Sequence, residues 1–449
     1  MNNLTLIDKN FKPFCLVYEE FKNDVKKQGG EPFAICIERN GGYRHTYRLE
    51  ILKGKENFDR NLLITERILK CLLWVFGGYK VILGGDNELC QKLKEIYSPN
   101  GKRSFDFFFM SKIYLEPFEI IITDYNNVPD TLEVATSMQN TQKGSRIGLD
   151  IGGSFLKSSA IVDGKLVSNH ETPWQPKVNS DPKYHYDFLK KVIMTEMQAL
   201  KNVDSLGVSA AGVYIDNQVR VASIFISVDD ENFSKHIKNI LIDLCKELDI
   251  PRLKVANDGD VAALTGARYL NRGKILAISM GTSEAGGYID QNFGLAGWLN
   301  ELAFVPIDLN ADAAIDEWSG DIGCGVKYLS QDGMIKLAEM SGMDLSSFKT
   351  PTDKLTYLQE LLDAKDSRVY NILKDIGVYL ACALKTYSEF YDIDTVIISG
   401  GVTSGERGEV IVNRCREVLE KVFDDLKLTV YIPDGSLRRI GSSITAAFL

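Results

Sequence analysis

Histidine is scarce in this chain: only four occur among 449 residues. None lies near a cysteine at a metal-ligand spacing, so no structural zinc site is expected. The eight cysteines (Cys15, Cys36, Cys71, Cys90, Cys245, Cys324, Cys382 and Cys415) are scattered, without a single C-x-x-C pair. Most sit in apolar surroundings, which reads as reduced, buried thiols of a cytoplasmic protein. No apolar run approaches the roughly 20 residues needed to span a bilayer. The opening MNNLTLIDKNFKPF lacks the basic-then-apolar pattern of a secretory signal. Positive charge is in deficit, with a formal net charge of −9. That balance argues against nucleic acid or an anionic membrane as the main partner. Two nucleotide-binding signatures are also missing: there is no G-x-x-x-x-G-K-[ST] loop, and no G-x-G-x-x-G opens a helix.

What is present suits a large soluble core. Hydrophobic residues make up 45% and charged residues 25%, and the length implies two or three domains. Residues 1–143 differ in texture from the rest. They carry an aromatic-rich strand signal, RSFDFFFMSKIYL (103–115), and a helix-then-strand signal, ERILKCLLWVFGGYKVILGG (66–85). The polar SMQNTQKGSR (137–146) reads as a linker. From Ile147 the pattern is regular. Strand signals at 147–151, 157–162, 205–210, 253–256, 275–280, 285–289, 395–399 and 428–432 alternate with helical patterns at 186–200, 235–248 and 366–391. A hairpin-like opening appears twice, at 147 and at 275. The expectation is an α/β protein with two similar lobes, each a mixed sheet with helices on both faces. A fainter echo links 72–85 to 386–401: apolar helix, short turn, β-branched strand, two glycines. It is compatible with an extra α/β lobe, although any α/β protein contains such a unit.

Four stretches carry candidate chemistry. IGLDIGGSFLKSSAIVD (147–163) runs a strand into Asp150, turns at Gly152, Gly153 and Ser154, and returns through Lys157. Glycines let a backbone approach a ligand, and consecutive amides make a concavity for anions. A plain hairpin fits the same letters. ILAISMGTSEAGGYID (275–290) repeats the logic with Gly281, Thr282 and Ser283. In VANDGDVAALTGARYL (255–270) a strand ends at Asn257 and Asp258 before a helix. Asp258 there reads as an N-cap, as a general base, or as both, with Asp260 as a spare cap. Gly400 and Gly401 follow the buried strand of DTVIISGGVTSGERGEV (394–410) and are nearly uninformative alone.

Taken in order, GLDIGGSFLKSSAI, GVSAAGVYIDNQV, VANDGDVAAL, ISMGTSEAGG, GLAGWLNELAF and VIISGGV resemble the ROK family of sugar kinases, over about 147–449. The resemblance implies two ribonuclease-H-like lobes of the actin–hexokinase ATPase type, with an additional N-terminal α/β region. The lobes would be 147–257, joined by a C-terminal helix at 441–449, and 258–440. It implies ATP-dependent phosphorylation of a sugar hydroxyl, with ATP and Mg²⁺ held between the lobes. Asp150 matches the magnesium-associated acid, and Gly152, Gly153 and Ser154 the first phosphate loop, with Lys157 beside it. Gly281, Thr282 and Ser283 match the second phosphate loop, and Gly400 and Gly401 the adenosine motif. Asp258 matches the catalytic base, Asn257 its sugar-binding neighbour, and Glu301 the sugar-contacting acid of G-E-x-G-H. Dimers are common among such kinases, so a homodimer is compatible.

The departures are specific. Phe304 stands where the family pattern has histidine, and only Cys324 remains of its cysteine-rich zinc segment. Glu284 follows the second loop, where its charge would repel a triphosphate unless it points away or engages magnesium. Residues 1–143 do not resemble the winged helix-turn-helix of the family's repressors. Two alternatives stay open: a sugar- or nucleotide-binding regulator without turnover, and an actin-like ATPase with a protein partner.

Overall fold

The computed structural model describes residues 4–137, 143–433 and 441–449. Half of the expected linker at 137–146, residues 138–142, lies outside the described residues. The chain forms two compact units. The first comprises Met1–Val134, Ile278–Gly286 and Trp298–Ile432; the second comprises Ala135–Ala277, Gly287–Gly297 and Pro433–Leu449. This division differs from the boundaries expected from the sequence. The N-terminal region shares a unit with most of the C-terminal half, and the helix at 258–270 belongs with the residues before it. A chain that enters a unit, leaves and returns cannot be partitioned from composition along one line.

In the first unit, the N-terminal residues build a four-stranded sheet ordered β2 (Arg44–Leu52), β1 (Gly30–Glu38), β3 (Lys80–Gly84), β4 (Glu119–Thr123). Phe33–Ile37 of β1 are buried without alternation, the mark of a strand covered on both faces. Helices α1 (Phe14–Gln28), α2 (Phe58–Val75), α3 (Asn87–Ile96) and α4 (Ser104–Tyr114) accompany this sheet. Helix α4 corrects the strand expected at 103–115. Its aromatic run has high strand propensity. Yet Asp106, Met110, Ile113 and Tyr114 are buried at helical spacing, so tertiary packing overrides local preference.

Another sheet orders Glu284–Ile289, Ile275–Met280, Thr395–Ser399 and Thr429–Tyr431, of which Glu284–Gly286, Ile278–Met280 and the last two strands fall in this unit. The long helix Ser367–Tyr387 supports it, buried at every position from Asp375 to Tyr387. The echo between 72–85 and 386–401 is real as a helix–turn–strand unit, α2 into β3. The N-terminal sheet nevertheless pairs β1 with β3 antiparallel, and only β3 with β4 parallel.

The second unit is built on a five-stranded sheet ordered Leu253–Asn257, Ser205–Ala210, Ser145–Ile151, Phe155–Val162, Lys165–Pro173. The first three strands run parallel and the last three antiparallel. Ile147, Leu149, Leu206 and Val208 pack with Leu189 and Ile193 of the helix Pro182–Met197 and Leu244 of Ile240–Glu247. The helix expected over 235–248 begins as a π-helical turn at Phe233–Ile237 before the α-helix at Ile240. The C-terminal helix Ser442–Ala446 lies directly on this sheet. A Cβ at Gly148 would stand 1.8 Å from the Ser443 carbonyl oxygen, and one at Gly207 1.8 Å from that of Ala446. Only glycine lets two backbones approach so closely.

Candidate functional site

In the second unit, the central strand Ser145–Ile151 delivers Asp150 to its C-terminal end, opposite Lys157 of the returning strand. The turn between them is tightly built. The Gly152 amide donates to Phe155 O at 3.1 Å, Trp174 Nε1 donates to Gly152 O at 2.8 Å, and the Trp174 amide donates to Ser154 O at 3.1 Å. Gly153 and Ser154 are exposed, and their amides have no partner among the described residues. Two carbonyls of the turn are thus engaged by Trp174 while two consecutive donors are left without a partner among the described residues, a pattern that suits an anion.

Asp258 opens the helix Asp258–Leu270. It does not cap it: Asn257 does, its side chain accepting from the Gly259 amide at 2.8 Å and donating to Gly212 O at 2.8 Å. Asp260, the expected spare cap, is buried and accepts from the Tyr288 amide at 3.2 Å. Relieved of capping, Asp258 interacts electrostatically with Asp150. Burial first, and then the charge of Asp150, push its carboxyl above the ordinary range. Burial also raises Asp150, opposed by a 3.1 Å hydrogen bond from Ser209 Oγ, by Lys157 and by Ser442. Asp150 is half-buried and Asp258 exposed, and a cation near such a pair favours the ionised form of both carboxyls. Ser209, Ser442 and Tyr214, whose hydroxyl is raised by burial and then by Asp258, escaped sequence reasoning. Serines and one tyrosine in strands and at a chain end carry no motif.

In the first unit, Gly281, Thr282 and Ser283 form the turn after Ile275–Met280. The Gly281 amide donates to Ser283 O at 3.0 Å, and Gly281 O accepts from Gln331 at 2.9 Å. Thr282 and Ser283 are exposed, their amides again without a partner among the described residues. Gly400 adjoins the same strand. Its φ is +101°, and a Cβ there would lie 2.4 Å from Met280 O. Gly401 has open space beside it. Glu284 points away from the turn. It is fully buried, accepts from Tyr387 Oη at 2.8 Å, and is pushed up to about 8 by burial against that bond. The expected repulsion is met by turning the carboxyl inward and keeping it protonated.

Glu301 lies where the N-terminal region meets the segment 298–304, which sequence reasoning left unconnected. The amides of Leu299, Asn300 and Glu301 donate to the carbonyls of Phe76, Val75 and Trp74 at 3.3, 2.9 and 2.9 Å. Phe304 packs on Trp74, ring centroids 4.2 Å apart, and on Phe105 at 5.8 Å. The phenylalanine in place of histidine therefore belongs to an aromatic cluster with α2 and α4. Among the described residues no group of three or more His, Cys, Asp or Glu side chains is arranged to hold a metal ion. No described helix is long and apolar enough to cross a membrane.

No protein-family model matches this chain, and no curated protein matches it in sequence. The likeness lies in three dimensions. A ROK hexokinase from Thermus thermophilus matches with a TM-score of 0.53 and 16% identity, over 68% of this chain and 97% of that one. A ROK-family protein from Streptococcus pneumoniae, in complex with sucrose, matches with a TM-score of 0.50 and 11% identity, over 68% and 97%. A ROK-family transcriptional regulator, a homologue of the E. coli MLC protein, matches with a TM-score of 0.50 and 14% identity, over 68% and 78%. At such identities the likeness establishes architecture alone. The chain carries the fold of the ROK-family sugar kinases.

Proposed function

We propose that the protein phosphorylates a hydroxyl of a sugar or sugar derivative at the expense of ATP. The observation that carries this reading is the electrostatically coupled Asp258 and Asp150, exposed and half-buried, in the same unit as the exposed Gly153 and Ser154, whose amides have no partner among the described residues. Asp258 is the base: its raised carboxyl, once ionised, takes the proton of the attacking hydroxyl as that oxygen bonds to the terminal phosphorus and ADP leaves. In the second unit the turn Gly152–Ser154 donates amides to phosphate, with Lys157 adding positive charge; in the first unit the turn Gly281–Ser283 offers amides of the same kind. In the first unit Gly400 and Gly401 take the adenosine role and Glu301 a sugar-contacting role; in the second, Asn257 beside Asp258 takes a sugar-contacting role. Asp150, facing a second carboxyl, suits Mg²⁺, which when bound neutralises phosphate charge.

The test is ADP release over a panel of hexoses, N-acetylhexosamines and polyols, run beside Asp258→Asn. The expected outcome is turnover with at least one sugar, and a kcat lower by about 10²- to 10⁴-fold in the variant. Undiminished turnover in Asp258→Asn removes that residue from its role. A second reading, a sugar-binding regulator without turnover, is favoured by Phe304 and by the fold shared with a regulator. Sugar binding without ADP release from any panel member selects it.

A further inference from the structure

We propose that helix α2 of the N-terminal region positions the substrate-binding segment 298–304, with Trp74 and Phe304 as positioning residues. The inference rests on the kinase reading for what the segment binds, and on geometry for how it is held. The last carbonyls of a helix have no partner within it. Here the carbonyls of Trp74, Val75 and Phe76 receive three successive amides of the segment, ending at Glu301. Backbone bonds at consecutive residues fix both position and direction, so Glu301 is registered to α2. Two side-chain contacts frame the register. Phe304 lies on Trp74 at 4.2 Å, and the Trp298 ring meets Phe76 edge-on at 4.7 Å.

A second anchor sits one to two turns earlier on α2. Arg67 Nη1 and Lys70 Nζ reach Asp321 at 2.9 and 3.1 Å, and Arg103 joins them. All four side chains are buried. Burial alone would raise the Asp321 carboxyl, but Arg67 and Lys70 outweigh it and hold it below the ordinary range. Trp74 Nε1 donates to Asp106, which pairs with Lys70 at 3.4 Å. One face of α2 thus fixes both the segment at 298–304 and the loop carrying Asp321. A helix that merely covered a core would need none of these directional bonds.

The test uses the full chain with Trp74→Leu, and with Phe304→Leu as the smaller perturbation from the other side of the same contact. Three quantities are read: hydrogen exchange at amides 299–301, the sugar KM against kcat, and the affinity for Mg²⁺–AMPPNP. Exchange is expected to quicken at least about tenfold. The sugar KM should rise roughly 10- to 100-fold, with kcat and nucleotide affinity within about twofold. Unchanged exchange overturns the proposal. So does faster exchange with an unchanged KM, or a parallel loss of nucleotide affinity, which marks general loosening. A wild type that phosphorylates no sugar overturns the kinase reading alone, and the exchange measurement then decides the positioning by itself.

Discussion

Glu284 shows how burial accommodates an acid directly after an exposed turn, Gly281–Ser283. The residue looks like a misplaced charge in the sequence, yet it is buried and neutral near neutrality. The sign of the pH dependence follows. Below the ordinary glutamate value both folded and unfolded chains hold the proton, and burial costs no charge. As pH rises, the unfolded chain releases its proton while the folded chain keeps it, so stability falls until the folded group ionises near about 8. Glu284→Gln, a permanent mimic of the protonated acid, should leave the melting temperature nearly unchanged at about pH 5. It should raise that temperature progressively toward about pH 8, as scanning calorimetry at several pH values would show. A gain that does not grow with pH would mean the carboxyl is ionised in the fold. At this scale the site was partly legible. Asp150 and Asp258 stand at strand ends that glycines and β-branched residues announce. The capping by Asn257, which frees Asp258, depends on side-chain rotamers that no spacing reveals.

Among the elements, the C-terminal helix Ser442–Ala446 is held by what two glycines omit. Its Ser443 hydroxyl meets Ser159 Oγ at 2.7 Å, and Thr445 meets Thr265 Oγ1 at 2.9 Å. Gly207→Ala would press a methyl group into the Ala446 carbonyl, at an overpacking cost of about 1–3 kcal/mol. A drop in the denaturant midpoint of that order, with Ser442 drawn away from Asp150, is the expected result. An unchanged midpoint would show that the helix docks more loosely than its geometry states. The strands after Ile147 were readable because apolar β-branched runs ending in glycine have few other interpretations. The aromatic run of α4 was not, because its packing partners, Trp74 and Phe304, come from distant parts of the chain. The docking of Leu299–Glu301 on α2 was invisible for a simpler reason: backbone-to-backbone bonds leave no trace in side-chain identity.

For the molecule as a whole, the N-terminal region is part of a compact unit with residues 298–432 and not a tethered appendage. Its first residues are tied down as well. Asp375 accepts from the amides of Leu6, Ile7 and Asp8 at 2.6, 2.7 and 3.2 Å, and Asp8 in turn accepts from Lys336 at 3.0 Å. Deleting residues 1–134 should therefore strip the buried Asp321 of Arg67, Lys70 and Arg103, and the buried Asp375 of the Leu6, Ile7 and Asp8 amides. Removing one partner of a buried pair costs about 3–5 kcal/mol. The remaining chain is expected to elute as an aggregate in size-exclusion chromatography, and a monodisperse, cooperatively melting fragment would contradict the unit described. The three carbonyls at the end of α2 have a consequence for descent. Because they clasp the segment bearing Glu301 and are framed by the contacts of Trp74 with Phe304 and of Arg67 and Lys70 with Asp321, substitutions at those positions in the two parts of the gene are expected to be coupled. A transplant of residues 1–134 onto another chain of this fold would have to carry Phe304 and Asp321 with it.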